Sequence, residues 1–302
     1  MGDSLKDRVA IVTGAGRGIG RAIAMLMAEE GAKVVVNDIG TAIDGTGTSN
    51  TPGEEVVQEI KAKGGMAVAN SNSVATWDGA ESIIKTAVDN FGRVDILVNN
   101  AGITRDRIVF NMSEEEWDAV IAVHLKGTFN TIRHASPLMR QQQFGRIINM
   151  SSQAGLGNRG QANYSSAKEG MVGLTRTVAL DLGKYNITCN AIRPRAATRM
   201  TDTPEMNEAM EKAGMMAVFE EEVLKNKPED VAPFIAFLAT EQGGIINGRN
   251  FEVYGGRVAL YSEPEQVKTI FKDGRWSVGE LIKLVPGTLA AGLVNPAPPQ
   301  KK

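Results

Sequence analysis

The stretch Val9-Ala10-Ile11-Val12-Thr13-Gly14-Ala15-Gly16-Arg17-Gly18-Ile19-Gly20 decides the fold. Its four apolar residues predict a buried strand. The glycine cluster then opens Ile19 to Glu30, which has helical spacing and closes at Gly31. Glycines let a backbone approach a pyrophosphate closely, and the helix start offers free N–H groups and the positive end of a dipole. A glycine-rich turn that only packs helix on strand would read the same way. A second apolar run, Lys33-Val34-Val35-Val36-Asn37-Asp38, ends in a carboxylate. An acid there accepts hydrogen bonds from adenosine ribose hydroxyls and repels a 2′-phosphate, which favours NAD over NADP. Arg17 pulls the other way, because it could meet a 2′-phosphate. The plain alternative for Asp38 is a solvated loop acid.

The alternation continues outward from this start. Met66 to Ala69, Val94 to Val98, Arg146 to Met150, Asn186 to Ile192 and Phe251 to Val253 read as further strands. Pro52-Gly53-Glu54-Glu55 opens one helix between them, and others are predicted near 76–91, 114–140, 161–182 and 229–239. Continuous apolar strands alternating with helices predict an α/β fold: a doubly wound parallel seven-stranded sheet of the Rossmann kind. No proline-rich linker interrupts residues 5–258, which read as one domain, with 259–302 as a C-terminal extension. The end of that extension, Pro296 to Lys302, is expected to be disordered. A Gly/Thr-rich loop at 40–53 and five methionines within 198–226 depart from a minimal alternation.

Composition narrows the class. Among 302 residues, 33 basic side chains oppose 35 acidic ones, a formal charge of −2. This is not the positive field that phosphate-backbone binding needs, so no nucleic-acid partner is expected. The single Cys189 cannot form an internal disulfide, and with only His124 and His134 it cannot build a four-ligand zinc site, so no metal is expected. No stretch approaches the ~18 uninterrupted apolar residues of a spanning helix, so no membrane insertion is expected. The charged start is not a secretory signal. The cytoplasm is the default location, with an organelle reached through an external address left open.

Two constellations carry chemistry. Tyr164 and Lys168, four residues apart on a predicted helix, point the same way. An ammonium beside a phenol lowers its pKa and makes it a proton donor and acceptor near neutrality. Ser151-Ser152 sits at the carboxyl end of the fifth strand, where hydroxyls face the ligand crevice or cap their own backbone. There is no G-x-S-x-G, so a hydrolase elbow is not supported.

Residues 13–20, Asn99-Asn100-Ala101-Gly102 and Tyr164-Ser165-Ser166-Ala167-Lys168, in this order, make the chain resemble the short-chain dehydrogenase/reductase family over residues 5–258. The resemblance implies a nicotinamide cofactor and hydride exchange between a secondary alcohol and a ketone. Tyr164 would be the acid/base, Lys168 would hold the nicotinamide ribose and lower the tyrosine pKa, and a serine would orient the substrate oxygen. The family's spacing to the tyrosine names Ser151, whereas aligning the strand on Gly145-Arg146-Ile147-Ile148 names Ser152. Strands hold register better than loops, so Ser152 is preferred. His124 stands where most members have Asn, either as part of a proton relay or as a structural residue beneath the site. By the same resemblance Gly14, Arg17, Gly18, Ile19, Gly20, Asp38, Asn72, Ser73, Asn99, Ala101, Gly102, Tyr164, Lys168, Pro194 and Thr198 surround the cofactor. The usual Pro-Gly after the sixth strand is Pro194-Arg195.

Val36-Asn37-Asp38-Ile39-Gly40, Arg105-Asp106-Arg107, Ala197-Thr198-Arg199-Met200-Thr201 and His124 are similar to the (3R)-hydroxyacyl-CoA dehydrogenase unit of peroxisomal multifunctional enzyme type 2, also called a 17β-hydroxysteroid dehydrogenase. That likeness implies an apolar small-molecule substrate, an acyl-CoA thioester or a sterol-like alcohol. Rival readings are an NADPH-dependent 3-oxoacyl carrier-protein reductase and a catalytically silent nucleotide-binding protein. Family members pair through the helices near 114–136 and 161–182, which implies a homodimer or homotetramer. The methionine-rich segment would be a substrate lid, or the core face of short helices. Lys225 and Lys227 would face a CoA phosphate, or only solvent.

Overall fold

Val9–Thr13 form β1, every residue of it buried. Alternate side chains of a strand face opposite ways, so Ala10 and Val12 enter one apolar cluster while Val9 and Ile11 enter another. A strand apolar on both sides needs cover on both sides, and each such Val or Ile contributes about 1.5–3 kcal/mol by leaving water. The same division recurs in β2 (Lys33–Asn37), where Val34 and Val36 join the first cluster and Val35 the second. The computed structural model describes residues 2–212 and 214–297.

The remaining strands are β3 (Met66–Asn70), β4 (Ile96–Asn99), β5 (Gly145–Met150), β6 (Ile187–Pro194), β7 (Asn250–Tyr254) and β8 (Arg257–Leu260). Their order in the sheet is β3-β2-β1-β4-β5-β6-β7-β8. All neighbours pair in parallel except β7 with β8. The order reverses at β1, between β2 and β4. Such a switch point leaves a crevice at the strands' carboxyl ends. Helices α1 (Gly18–Glu29), α2 (Thr51–Ala62), α3 (Trp77–Phe91), α4 (Glu114–Ile121), α5 (Gly127–Gln142), α6 (Ala162–Leu182), α7 (Pro204–Lys212), α8 (Met216–Phe219) and α9 (Pro228–Ala239) connect the strands.

Two expectations are corrected here. The sheet has eight strands rather than seven. Gly255-Gly256 make a two-residue hairpin with Gly255 at φ +50°, and Tyr254 pairs with Arg257 across it. A Gly-Gly pair flanked by strand residues is a hairpin signal, but the short and largely exposed Arg257–Leu260 hid it. The first compact unit therefore ends at Tyr261, three residues beyond the expected boundary. The expected long helix over 114–140 is continuous but not regular. Ala122–Lys126 form a π-helical turn between α4 and α5, and it carries His124. Such turns cluster at functional sites.

Residues from Ser262 form a second unit. Within it α10 (Val278–Leu284) starts at a capping box of Ser277 and Glu280, and Lys272 pairs with Glu280 at 2.6 Å. The disorder expected for the extreme end falls partly on residues 298–302, which lie outside the described residues.

Candidate active site

A cavity of about 500 Å³ lies against the glycine turn. Gly14, Arg17, Gly18, Ile19, Gly20, Asp38, Asn72, Ser73, Ala101, Gly102 and Thr198, all of which the resemblance places near the cofactor, line it. The turn's glycines are required by shape. Gly14 and Gly18 have φ of +64° and +54°. A Cβ on Gly20 would lie 2.2 Å from the Gly14 carbonyl, and one on Gly16 would lie 2.8 Å from the Asp38 carboxylate. No side chain caps the start of α1 and no acid occupies its first turn, so its N–H groups remain available to an anion. Asp38 accepts from the Gly16 and Gly40 N–H groups, both at 2.7 Å, which fixes the carboxylate at the cavity wall. These features fit a dinucleotide: a side-chain-free cradle, an uncapped helix start and a fixed acid at the end of β2.

The structure separates two adjacent asparagines. Asn99, expected at the cofactor, does not line the cavity. Its side chain points into the sheet's packing, donating to Asn149 at 2.9 Å and accepting from Thr131 at 2.6 Å. Asn100 faces the cavity instead and ties Thr13 and Gly14 by donating to their carbonyls at 2.9 and 3.0 Å. Alternation along β4 was the signal available, since one of two successive side chains must turn inward. Arg199 was also missed. It lines the cavity with Arg17 and donates to the Thr41 carbonyl at 3.0 Å, joining the Gly/Thr loop to the segment after β6.

Ser152, Tyr164, Lys168, His124 and Pro194 lie outside the cavity's lining, but the first four form one group. Gly102 joins the two regions: it lines the cavity, and a Cβ on it would come within 2.4 Å of the His124 ring. That ring meets Tyr164 edge to face at 5.1 Å. The Lys168 ammonium lies 5.4 Å from the Tyr164 ring centre and donates to the Met150 carbonyl at 2.5 Å. Pro194 ends β6, and Arg195 after it pairs with Glu252 at 2.6 Å and with Glu222.

The two serines are resolved by direction. The Ser151 hydroxyl donates to the Lys168 carbonyl at 2.7 Å and is buried. Ser152 accepts from the Ala154 N–H at 3.1 Å, and its hydroxyl is near enough to Tyr164 to lower the phenol's pKa.

One electrostatic expectation is reversed. Burial pushes the Tyr164 phenol up to about 12, the Ser152 hydrogen bond pulls it down and the Asp106 charge pushes it up. Burial also pushes Lys168 down to about 7. Desolvation disfavours both charged forms, and Lys168 is not among the causes of the Tyr164 shift. His124 is driven well below its ordinary value by burial and by Lys168, so the ring is neutral. Its Nε2 lies 3.0 Å from the Ile103 nitrogen and 2.8 Å from the Ile103 carbonyl oxygen, while Nδ1 is buried without a partner.

The fold and this site define a dinucleotide-dependent oxidoreductase, and residues 8–212 match the family profile for short chain dehydrogenase. The chain belongs to the short-chain dehydrogenase/reductase family. It is 50% identical to a short-chain type dehydrogenase/reductase of Mycobacterium tuberculosis over 261 residues, covering 85% of this chain and 86% of that one. It is 42% identical to a hydroxyacyl-CoA dehydrogenase of the same organism, covering 92% and 87% of the two chains. It is 46% identical to mouse peroxisomal multifunctional enzyme type 2, covering 82% of this chain and only 32% of that enzyme. A crystal structure of a short chain dehydrogenase from Mycobacterium avium superposes with a TM-score of 0.81 at 44% identity, covering 95% and 96% of the two chains. The protein is therefore an oxidoreductase with a nicotinamide cofactor. Among the described residues no helix is long and apolar enough to cross a membrane, and no cluster of metal-binding side chains occurs.

Proposed function

We propose that the protein interconverts a secondary alcohol and a ketone on a 3-hydroxyacyl-CoA or steroid-type substrate, with NAD as its cofactor. The observation that carries the chemistry is the cluster around Tyr164, whose ring centre lies 5.4 Å from the Lys168 ammonium and 5.1 Å from the His124 ring. The nicotinamide, when bound, supplies or receives the hydride. Tyr164 gives the proton to the substrate oxygen or takes it, Ser152 holds that oxygen, and Lys168, pushed down to about 7, holds or releases a proton near neutrality beside the Tyr164 ring. His124 acts as a positioning residue: its Nε2 is held at the Ile103 backbone, and its ring supports Tyr164.

Asp38 supports NAD, because its carboxylate is held where a 2′-phosphate would meet it. Arg17 and Arg199 on the same cavity favour the second reading, an NADPH-dependent 3-oxoacyl carrier-protein reductase. A reductase of that name from Synechocystis is 44% identical over 258 residues. The acyl-CoA reading draws on the mycobacterial hydroxyacyl-CoA dehydrogenase, which the chain matches over most of both lengths. Lys225 gives little support, since its ammonium pairs with Glu221 at 2.6 Å. Pairing of copies through α5 and α6, and a cytoplasmic location, belong to the same reading. Half-exposed Phe129 on α5 and exposed Leu180 on α6 suit such a contact. Nicotinamide absorbance, followed with acyl-CoA, acyl carrier protein and steroid substrates, tests the proposal. Turnover with a 3-hydroxyacyl-CoA and NAD is expected, and turnover only with an acyl carrier protein and NADPH would replace it with the second reading.

A further inference from the structure

Arg193 sits one residue before the end of β6 and is only 1% exposed. A cation that deep needs partners. It donates through Nη1 to the Ser152 carbonyl and through Nη2 to the Glu169 carboxylate, both at 2.6 Å. Its guanidinium carbon lies 5.1 Å from the ring centre of Tyr261, the residue that follows β8. The Tyr261 hydroxyl hydrogen-bonds Gln153, the neighbour of Ser152. The turn leaving Ser152 rests on this group: a Cβ on Gly155 would lie 2.8 Å from both Arg193 and Glu169. The arrangement is not optimised for stability, because Arg193 Nε is buried without a partner. What the fork does achieve is geometric. It holds the Ser152 carbonyl while Tyr261, packed against it, holds the Gln153 side chain.

We propose that Arg193, braced by Glu169 and Tyr261, is a positioning residue that aims the Ser152 hydroxyl at the substrate oxygen. This inference rests on the role given to Ser152 above, and it gives the antiparallel strand β8 a part in the reaction. A hydroxyl displaced by about 1 Å loses on the order of a hundredfold in rate.

A double-mutant cycle tests it, because residues that act as one unit are not additive. Arg193→Met is expected to lower kcat about a hundredfold while leaving NADH binding, read by fluorescence, unchanged. Ser152→Ala is expected to cost a similar factor, and the double variant little more than either. Tyr261→Phe, which keeps the ring and removes the hydroxyl, is expected to lower kcat severalfold and to lose that effect in the Ser152→Ala background. If Ser152→Ala is costly and Arg193→Met still adds its full factor, the link is overturned while the serine's role stands. A harmless Ser152→Ala overturns both. Should Arg193→Met fail to fold, Arg193→Lys completes the same cycle, since lysine keeps the charge without the fork.

Discussion

The two halves of the site are built from different materials. The nucleotide half is backbone: glycines at 14, 16, 18 and 20, an uncapped helix start and one carboxylate held by two N–H groups. The proton-transfer half is side chains, with Lys168 and His124 buried and their titration displaced by that burial. Shape made from main chain responds weakly to pH and strongly to an added Cβ. Chemistry made from buried ionisable groups responds to charge and solvation, and each group sets its neighbours' proton affinity.

The largest effect is expected in the second half. Tyr164→Phe removes the hydroxyl whose pKa Ser152 lowers and keeps the ring beside Lys168. Turnover should fall by about 10²–10⁴-fold, the usual worth of a positioned acid/base. NADH binding by fluorescence should change little, because Tyr164 does not line the nucleotide cavity. Turnover within a few fold of the parent would remove Tyr164 from the acid/base role.

A smaller, opposite pattern is expected in the first half. Asp38→Ala leaves Arg17 and Arg199 on the cavity without their carboxylate. The ratio of NADP to NAD affinity should rise by roughly tenfold, the value of about 1.4 kcal/mol. The same change frees the Gly16 and Gly40 N–H groups, so a lower melting temperature should accompany it. An unaltered cofactor ratio with lowered stability would make Asp38 a structural acid of the loop.

The same contrast explains what the sequence could show. The glycine turn and the strand alternation were legible, because backbone shape leaves a residue-type signature, and the resemblance named Gly14, Arg17, Gly18, Ile19, Gly20, Asp38, Asn72, Ser73, Ala101 and Gly102, which line the cavity. The preference for Ser152 over Ser151 came from strand register, and the Ser151 hydroxyl is engaged by the Lys168 carbonyl. The Asn99 side chain turns into the sheet and that of Asn100 to the cavity, an alternation at the end of β4 that the sequence carried. The direction of the Tyr164 pKa could not be read, since helical spacing reports proximity but not desolvation. Arg193 and Tyr261 lie 68 residues apart in the chain (261 − 193), and only the eighth strand brings them together. A contact made through a late antiparallel return has no local pattern to announce it.

The finest distinction between the halves is a slope. Lys168 titrates at about 7 when folded, against 10.5 for a lysine free in water. Below about 7 both states hold the proton, and the folded chain bears the full cost of a buried ammonium. Between about 7 and 10.5 the unfolded chain binds a proton that the folded chain has released, so stability rises with pH across that window. Cys189 and Tyr164, both pushed up to about 12 by burial, act the other way, but only as pH passes their ordinary values of 9.0 and 10.0. The clean interval is therefore pH 7 to 9. There denaturant unfolding of the parent should show a stability gain that Lys168→Met lacks, at most about 1.4 kcal/mol per pH unit for one proton. Asp38→Ala, altered in the backbone-built half, should keep the parent's slope while sitting lower throughout. A Lys168→Met variant with the parent's slope would mean that the ammonium is solvated in the folded chain, and that burial does not set the acid/base chemistry of this half.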